Sequence, residues 1–195
     1  MSTWTSKTWT IAVLTGLAAC QPVEGLPKPR LVSAPRPVTV LNGSMQVAGP
    51  SGYCADPATI REDADSAVVF VGRCEAENGV RPAVLTVTAG ASGSGVAMAS
   101  GGDSLAQFFN TDAGRKTLSR RGKAADVSIG TALAVKDLFL MRVEDRAEGS
   151  YWRGMLALGG RLVSISANGP DLPAPEGRVL VEKTAAAMRR ANRRP

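Results

Sequence analysis

Nucleophilic and acid–base chemistry needs particular side chains at particular spacings, and this 195-residue chain offers few of them. Acyl transfer by serine usually needs a base. Histidine is absent, and no Ser-x-x-Lys occurs to put lysine in its place. Asp63 with Asp65, and Glu144 with Asp145, are acidic doublets that could serve glycan cleavage. Such doublets belong far more often to solvated turns. The glycine-rich stretch 90–103 carries neither G-x-G-x-x-G nor the P-loop pattern, so nothing there defines a phosphate cradle. Gly90-Ala91-Ser92-Gly93-Ser94 lacks the closing glycine of a nucleophile elbow. The stretch therefore reads as a flexible loop. With no catalytic constellation in view, a non-catalytic binding or positioning module is the expectation, and a hydrolase is the alternative.

Cys20 has a more telling context. Residues 10–19 are an apolar run preceded by a polar start whose one charge is Lys7. About ten residues cannot cross a bilayer core of ~30 Å, which takes about twenty. The run fits the apolar region of a secretory signal, with small residues at the cut site. Leu17-Ala18-Ala19-Cys20 looks like the lipobox of bacterial lipoproteins. That resemblance implies that residues 1–19 are a signal peptide and that the Cys20 thiol receives a diacylglyceryl group. The chain is then cut before Cys20 and the new amine is acylated. Several chains on one residue anchor firmly, since each buried methylene contributes ~0.8 kcal/mol. Gln21 in the second mature position, rather than aspartate, implies the periplasmic face of the outer membrane. The alternative hydrolase would act there on an envelope component.

With Cys20 lipidated, Cys54 and Cys74 remain, and an oxidising periplasm makes them one disulfide. Closing a loop of about twenty residues contributes on the order of 3 kcal/mol. A shared metal lacks further ligands, because the chain has no histidine and no third free cysteine. No metal or cofactor is expected.

The formal charge of +6 is unevenly spread. Arg115, Lys116, Arg120, Arg121 and Lys123 form one basic block. Arg178, Lys183, Arg189, Arg190, Arg193 and Arg194 form another. Basic blocks can mark nucleic-acid binding, but a periplasmic address argues against that partner. An anionic lipid, lipopolysaccharide or another envelope protein fits better, and a plain solvated face is the simplest reading. Tyr151 and Trp152 join Arg115, Lys116, Arg120 and Arg121 as candidates for a binding surface. Neighbours in a strand face opposite sides, so at most one of the two aromatics need be core, and packing of that aromatic under the closing helix is the favoured reading.

These residues need elements to hold them. Residues 20–37 carry Pro22, Pro27, Pro29, Pro35 and Pro37, a density that favours an extended tether of ~3.1 Å per residue. A single domain is expected over 38–195, and 44% hydrophobic residues suffice for its core. Asn42-Gly43 suits a two-residue hairpin turn between 38–41 and 44–47. Asp56-Pro57 suits a helical cap. Strands are expected at 67–71, 83–88, 125–129 and 138–143. Ser104 suits the cap of a helix with Leu105, Phe108 and Phe109 on one face, and Thr111-Asp112 caps a second that Gly122 ends. Gly159-Gly160 predicts a tight hairpin between 151–158 and 161–167. A final helix over 176–192 places Leu180, Val181, Thr184, Ala187, Met188 and Ala191 on one stripe. The order predicts an α+β fold, an antiparallel sheet with flanking helices and the C-terminal helix packed on it.

From Ser44 onward the chain resembles a family of small uncharacterised bacterial lipoproteins. The matching stretches are Val47-Ala48-Gly49-Pro50-Ser51-Gly52-Tyr53-Cys54, Val71-Gly72-Arg73-Cys74, Thr111-Asp112-Ala113-Gly114-Arg115 and Tyr151-Trp152-Arg153. The resemblance implies an envelope address and brings no activity with it. The element order is also similar to the Mog1/PsbP-like fold, an antiparallel sheet between helices.

Overall fold

The structure is a computed structural model that describes residues 36–74 and 79–193. The expected signal peptide, Cys20, all but the last two residues of the tether, and Arg194 lie outside the described residues.

The fold is α+β. A short hairpin of β1 (Val38–Val40) and β2 (Met45–Val47) precedes the main sheet. The sheet itself is built from β3 (Tyr53–Ala55), β4 (Arg61–Glu62), β5 (Ala67–Arg73), β6 (Val84–Ala89), β7 (Val127–Val135), β8 (Leu138–Asp145), β9 (Gly149–Leu158) and β10 (Arg161–Asn168). Its order is β3-β5-β6-β10-β9-β8-β7, with β4 beside β5, and every pairing is antiparallel. Between β6 and β7 come α1 (Gly101–Asn110) and α2 (Asp112–Leu118); α3 (Ala174–Ala191) closes the chain.

Alternation decides what each face buries. One face carries Val69, Val71, Leu85, Val87, Leu140, Trp152, Leu156, Val163 and Ile165, and these pack with Val181, Ala185 and Met188 of α3. Gly154 lies under that helix, where an added Cβ would meet Val181 Cγ1 at 2.5 Å, so glycine lets α3 approach the sheet. On the other face, Phe139, Met141, Val143, Tyr151 and Met155 pack with Leu105, Phe109 and Leu118 of α1 and α2. Among the described residues no helix packs over the rest of that face, where Phe70 and Val84 are exposed.

Several local expectations need correction. The first hairpin closes through four residues, because Leu41 leaves the strand with φ 55° ahead of Asn42 and Gly43. The Leu41 amide is taken by the Glu62 carboxylate at 2.8 Å, which rewards that conformation. Residues 90–103 form ordered structure. Ser94–Met98 is a 3₁₀ turn; Gly95 donates to the Gly160 carbonyl at 3.1 Å, and Ser94 Oγ accepts the Leu162 amide at 2.9 Å. The next helix starts at Gly101, so Ser100 is its cap, and Ser104 only donates back to the Ser100 carbonyl at 3.1 Å. Phe108 is exposed, while Leu105 and Phe109 are buried. Thr111 caps α2 as expected, its hydroxyl accepting the Gly114 amide at 3.1 Å. That helix ends at Leu118, before Gly122, because Ser119 Oγ takes the amides of Arg121 and Lys123 and competes with the helix. Finally, α3 begins at Ala174, with Pro175 in its first turn.

Candidate functional site

Cys54 lies on β3 and Cys74 just past the end of β5, two adjacent strands with Cys54 opposite Gly72. Their sulfurs are at disulfide distance, with the Cα atoms 5.1 Å apart. The Cys74 amide also donates to the Gly52 carbonyl at 2.9 Å. The pair fastens a short edge strand to the sheet.

Tyr151 and Trp152 do face opposite sides, but both are core, 4% and 8% exposed. The Tyr151 hydroxyl donates to the Leu118 carbonyl at 3.3 Å, and burial pushes its pKa up. Trp152 lies beneath α3 at Gly177, where an added Cβ would stand 3.3 Å from its Cδ1. The Arg178 guanidinium lies 5.9 Å from the centre of its ring. Both rings are core, and the cleft beside Pro173 and Gly177 that reaches the two residues is small, about 60 Å³.

The first basic block is largely answered by acids. Arg115 pairs with Asp112 at 2.5 Å, Arg120 with Glu148 at 2.9 Å, and Arg121 with buried Asp126 at 2.9 Å. Lys116 is exposed and stands apart from these pairs. The second block is answered only in part: Arg178 pairs with Glu182 at 2.8 Å, Arg189 grips Asp137 through two bonds of 2.9 and 2.7 Å, and Lys183, Arg190 and Arg193 are exposed.

The acidic doublets do not converge either. Asp65 accepts the Ser92 amide at 2.8 Å and pairs with Arg161 at 2.7 Å; these two partners hold it below the usual carboxylate range. Asp63 instead bonds Ser66, with its hydroxyl 3.3 Å away. Asp145 is 3% exposed. Burial pushes it up, but the amides of Ala147, Arg120 and Glu148, with the charge of Arg121, outweigh burial and hold it low. Glu144 points to the other face, toward Ser128. Both doublets shape turns, and neither presents two carboxyls to one substrate.

Among the surface clefts, two of about 340 Å³ each have mainly apolar walls. One runs along the N-terminal half of α3. Tyr53, Val80, Val179 and Leu180 line it, and Arg81, Glu176 and Lys183 charge it. The Tyr53 hydroxyl donates to the Arg81 carbonyl at 2.7 Å; burial first and Glu176 second raise its pKa. Arg81 and Glu176 pair at 2.5 Å. The other groove lies between residues 95–102 and the β7–β8 turn, with Met98, Ala134 and Phe139 inside and Lys136 and Asp137 at its edge. Apolar walls with a few charges suit binding. No group of three or more His, Cys, Asp or Glu that could hold a metal ion occurs among the described residues. No described helix is long and apolar enough to cross a membrane.

The α3 groove was not visible in the residue pattern because it draws on three separate segments. One signal was present: Val179 is apolar yet falls outside the stripe of α3, and it is 42% exposed. Comparison with protein-family models, with curated proteins and with solved structures finds no match to this chain.

Proposed function

We propose that this chain is an envelope lipoprotein. Residues 1–19 are removed as a signal peptide, Cys20 carries the lipid, and residues 20–37 tether the domain to the periplasmic face of the outer membrane. The domain binds or positions another envelope component and breaks no bond of its own. The carrying observation is the Cys54–Cys74 pair at disulfide distance. Paired cysteines suit an oxidising compartment. A lipobox cysteine would deliver the chain to one, and Cys20 is the cysteine left over for the lipid. The α3 groove supports the binding role, since an apolar centre with a polar rim is how protein interfaces are built.

The test is metabolic labelling with palmitate followed by membrane fractionation. The wild type is expected to take the label and remain with membranes, and Cys20→Ser to yield unlabelled soluble protein or precursor. A wild-type chain without label sinks the lipoprotein reading. A photo-crosslinker at Val179 tests the binding half. Adducts at Val179 and none at Arg190 are expected; silence at Val179 removes the groove from the proposal.

A further inference from the structure

Arg153 occupies the middle of β9 on the face that α1 and α2 cover only in part. It stands opposite Met141 on β8 and Ser166 on β10. Ser166 in turn faces Thr86 on β6, and Thr86 faces Phe70 on β5. Flanking rows place Ser164 against Thr88 and Asn168 against Val84. Directly opposed residues have Cβ atoms ~4.5–5.5 Å apart and diagonal ones ~7–8 Å apart. The Arg153 guanidinium is turned toward Tyr151, so its neighbours on β10 are Ser166, directly opposite, and Asn168 on the Tyr151 side, while Ser164 lies the other way beside Met155. On the β8 side its neighbours are apolar; on the β10 side they are a hydroxyl and an amide.

The cation here stands without a carboxylate. Among the described residues Arg153 has no carboxylate partner and no side-chain hydrogen bond, and its Nε is buried without a partner. Its guanidinium lies 5.8 Å from the centre of the Tyr151 ring. Seven other arginines, at 81, 115, 120, 121, 161, 178 and 189, each hold a carboxylate within 2.9 Å. Ser166, directly opposite Arg153, is itself buried, 5% exposed. A buried donor left unanswered is costly, and an ionised acceptor removes that cost. The guanidinium fork matches a tetrahedral oxyanion through two parallel bonds.

We infer that the open half of this sheet face is an oxyanion site. Arg153 grips a phosphate or sulfate group, and Ser166 and Asn168 donate to its remaining oxygens. The inference rests on the sheet and is independent of the lipid anchor.

The test uses the full chain purified in detergent. It is titrated with inorganic phosphate, and separately with micelles doped with phosphatidylglycerol, while the thermal midpoint is followed. A ligand that binds only the folded state raises that midpoint by mass action. The wild type is expected to respond. Arg153→Met should weaken the response about ten-fold or more. Arg153→Lys, which keeps charge and stem but lacks the fork, should lose most of it and keeps the test valid if the Met variant folds poorly. Ser166→Ala should weaken it several-fold, and Arg190→Met should leave it unchanged. A response to inorganic phosphate, lost with Arg153, assigns a free oxyanion. A response confined to the phospholipid and lost with Arg153 assigns a lipid headgroup. No response to either probe, or one that Arg153→Met and Arg153→Lys retain, overturns the site.

Discussion

The side chain of Asn192 pairs in both directions with the backbone of Gln46. The Gln46 amide donates to Asn192 Oδ1 at 2.8 Å, and Asn192 Nδ2 donates to the Gln46 carbonyl at 2.7 Å. One residue at the end of α3 thus completes the free edge of β2, although the two positions are 146 residues apart. Asn192→Ala is expected to cost about 1–3 kcal/mol by leaving that edge unpaired. Hydrogen exchange at the Gln46 amide should accelerate with it. Unchanged protection at Gln46 would mean that the clamp holds nothing.

Cys54 and Cys74 enclose a separation of 20 residues. Losing the bridge through Cys54→Ser is expected to lower stability by ~2–5 kcal/mol. Urea titration with and without reductant checks it, and the wild type in reductant should approach the variant. Thiol labelling of denatured, unreduced protein should find neither cysteine free.

Acid should weaken the junction between α2 and β8. Asp145 is held below its ordinary value of 3.8, so the unfolded chain binds its proton more readily than the folded one. Its contribution is complete above that value and drains away as pH falls through the lower folded one. Asp65, lowered by the Ser92 amide and Arg161, acts in the same direction. Asp145→Asn should flatten the acid limb of a stability–pH curve and lower stability at neutral pH. A limb as steep as that of the wild type would show that other carboxylates govern it.

Met188 and Arg190 share one helix and should respond in opposite ways to the same change. Met188 is fully buried, and its sulfur accepts the Ala48 amide at 3.4 Å. Met188→Asp buries an unpaired charge and is expected to cost more than about 3 kcal/mol. Arg190 is exposed, and Arg190→Asp should stay within about 0.5 kcal/mol of wild type. Equal effects in a thermal melt would mean that α3 does not dock by this stripe.

What could be read from the chain was local, and what could not was brought from afar. The β9–β10 turn announces itself because Gly159 and Gly160, with φ of 59° and 75°, satisfy the backbone their own hairpin requires. The stripe of α3 and the β-branched run of β5 are equally self-contained. Residues 90–103 gave the opposite impression. Their glycines resemble freedom, yet their backbone is claimed by Gly160 and Leu162 of a later hairpin. At Gly95 an added Cβ would come 2.9 Å from the Gly160 carbonyl carbon. Packing of one hairpin aromatic under α3 was legible, and Trp152 does so; burial of Tyr151 as well needs two covered faces, a property of the assembled layers. Arg120 looked free because Glu148 reaches it only once the chain has folded back, whereas Arg121 finds Asp126 through the local turn that follows α2. Arg153 carried no signal at all, since its meaning lies in strands that pair beside it.

The place of β10 between β6 and β9 sets the order in which the protein can be completed. Ala89 pairs with Val163, and Leu85 with Ala167. The β5–β6 pair therefore lacks its inner neighbour until residues 163–168 have been synthesised. Such sequence-distant pairing means a high contact order, and folding is slow when loop closure must precede the contacts that stabilise it. A nascent chain that stops before β10 has β5 and β6 with an unsatisfied inner edge, and α3 has not yet emerged to cover them. β10 and α3 thus act as a completion signal for the sheet, written into the topology.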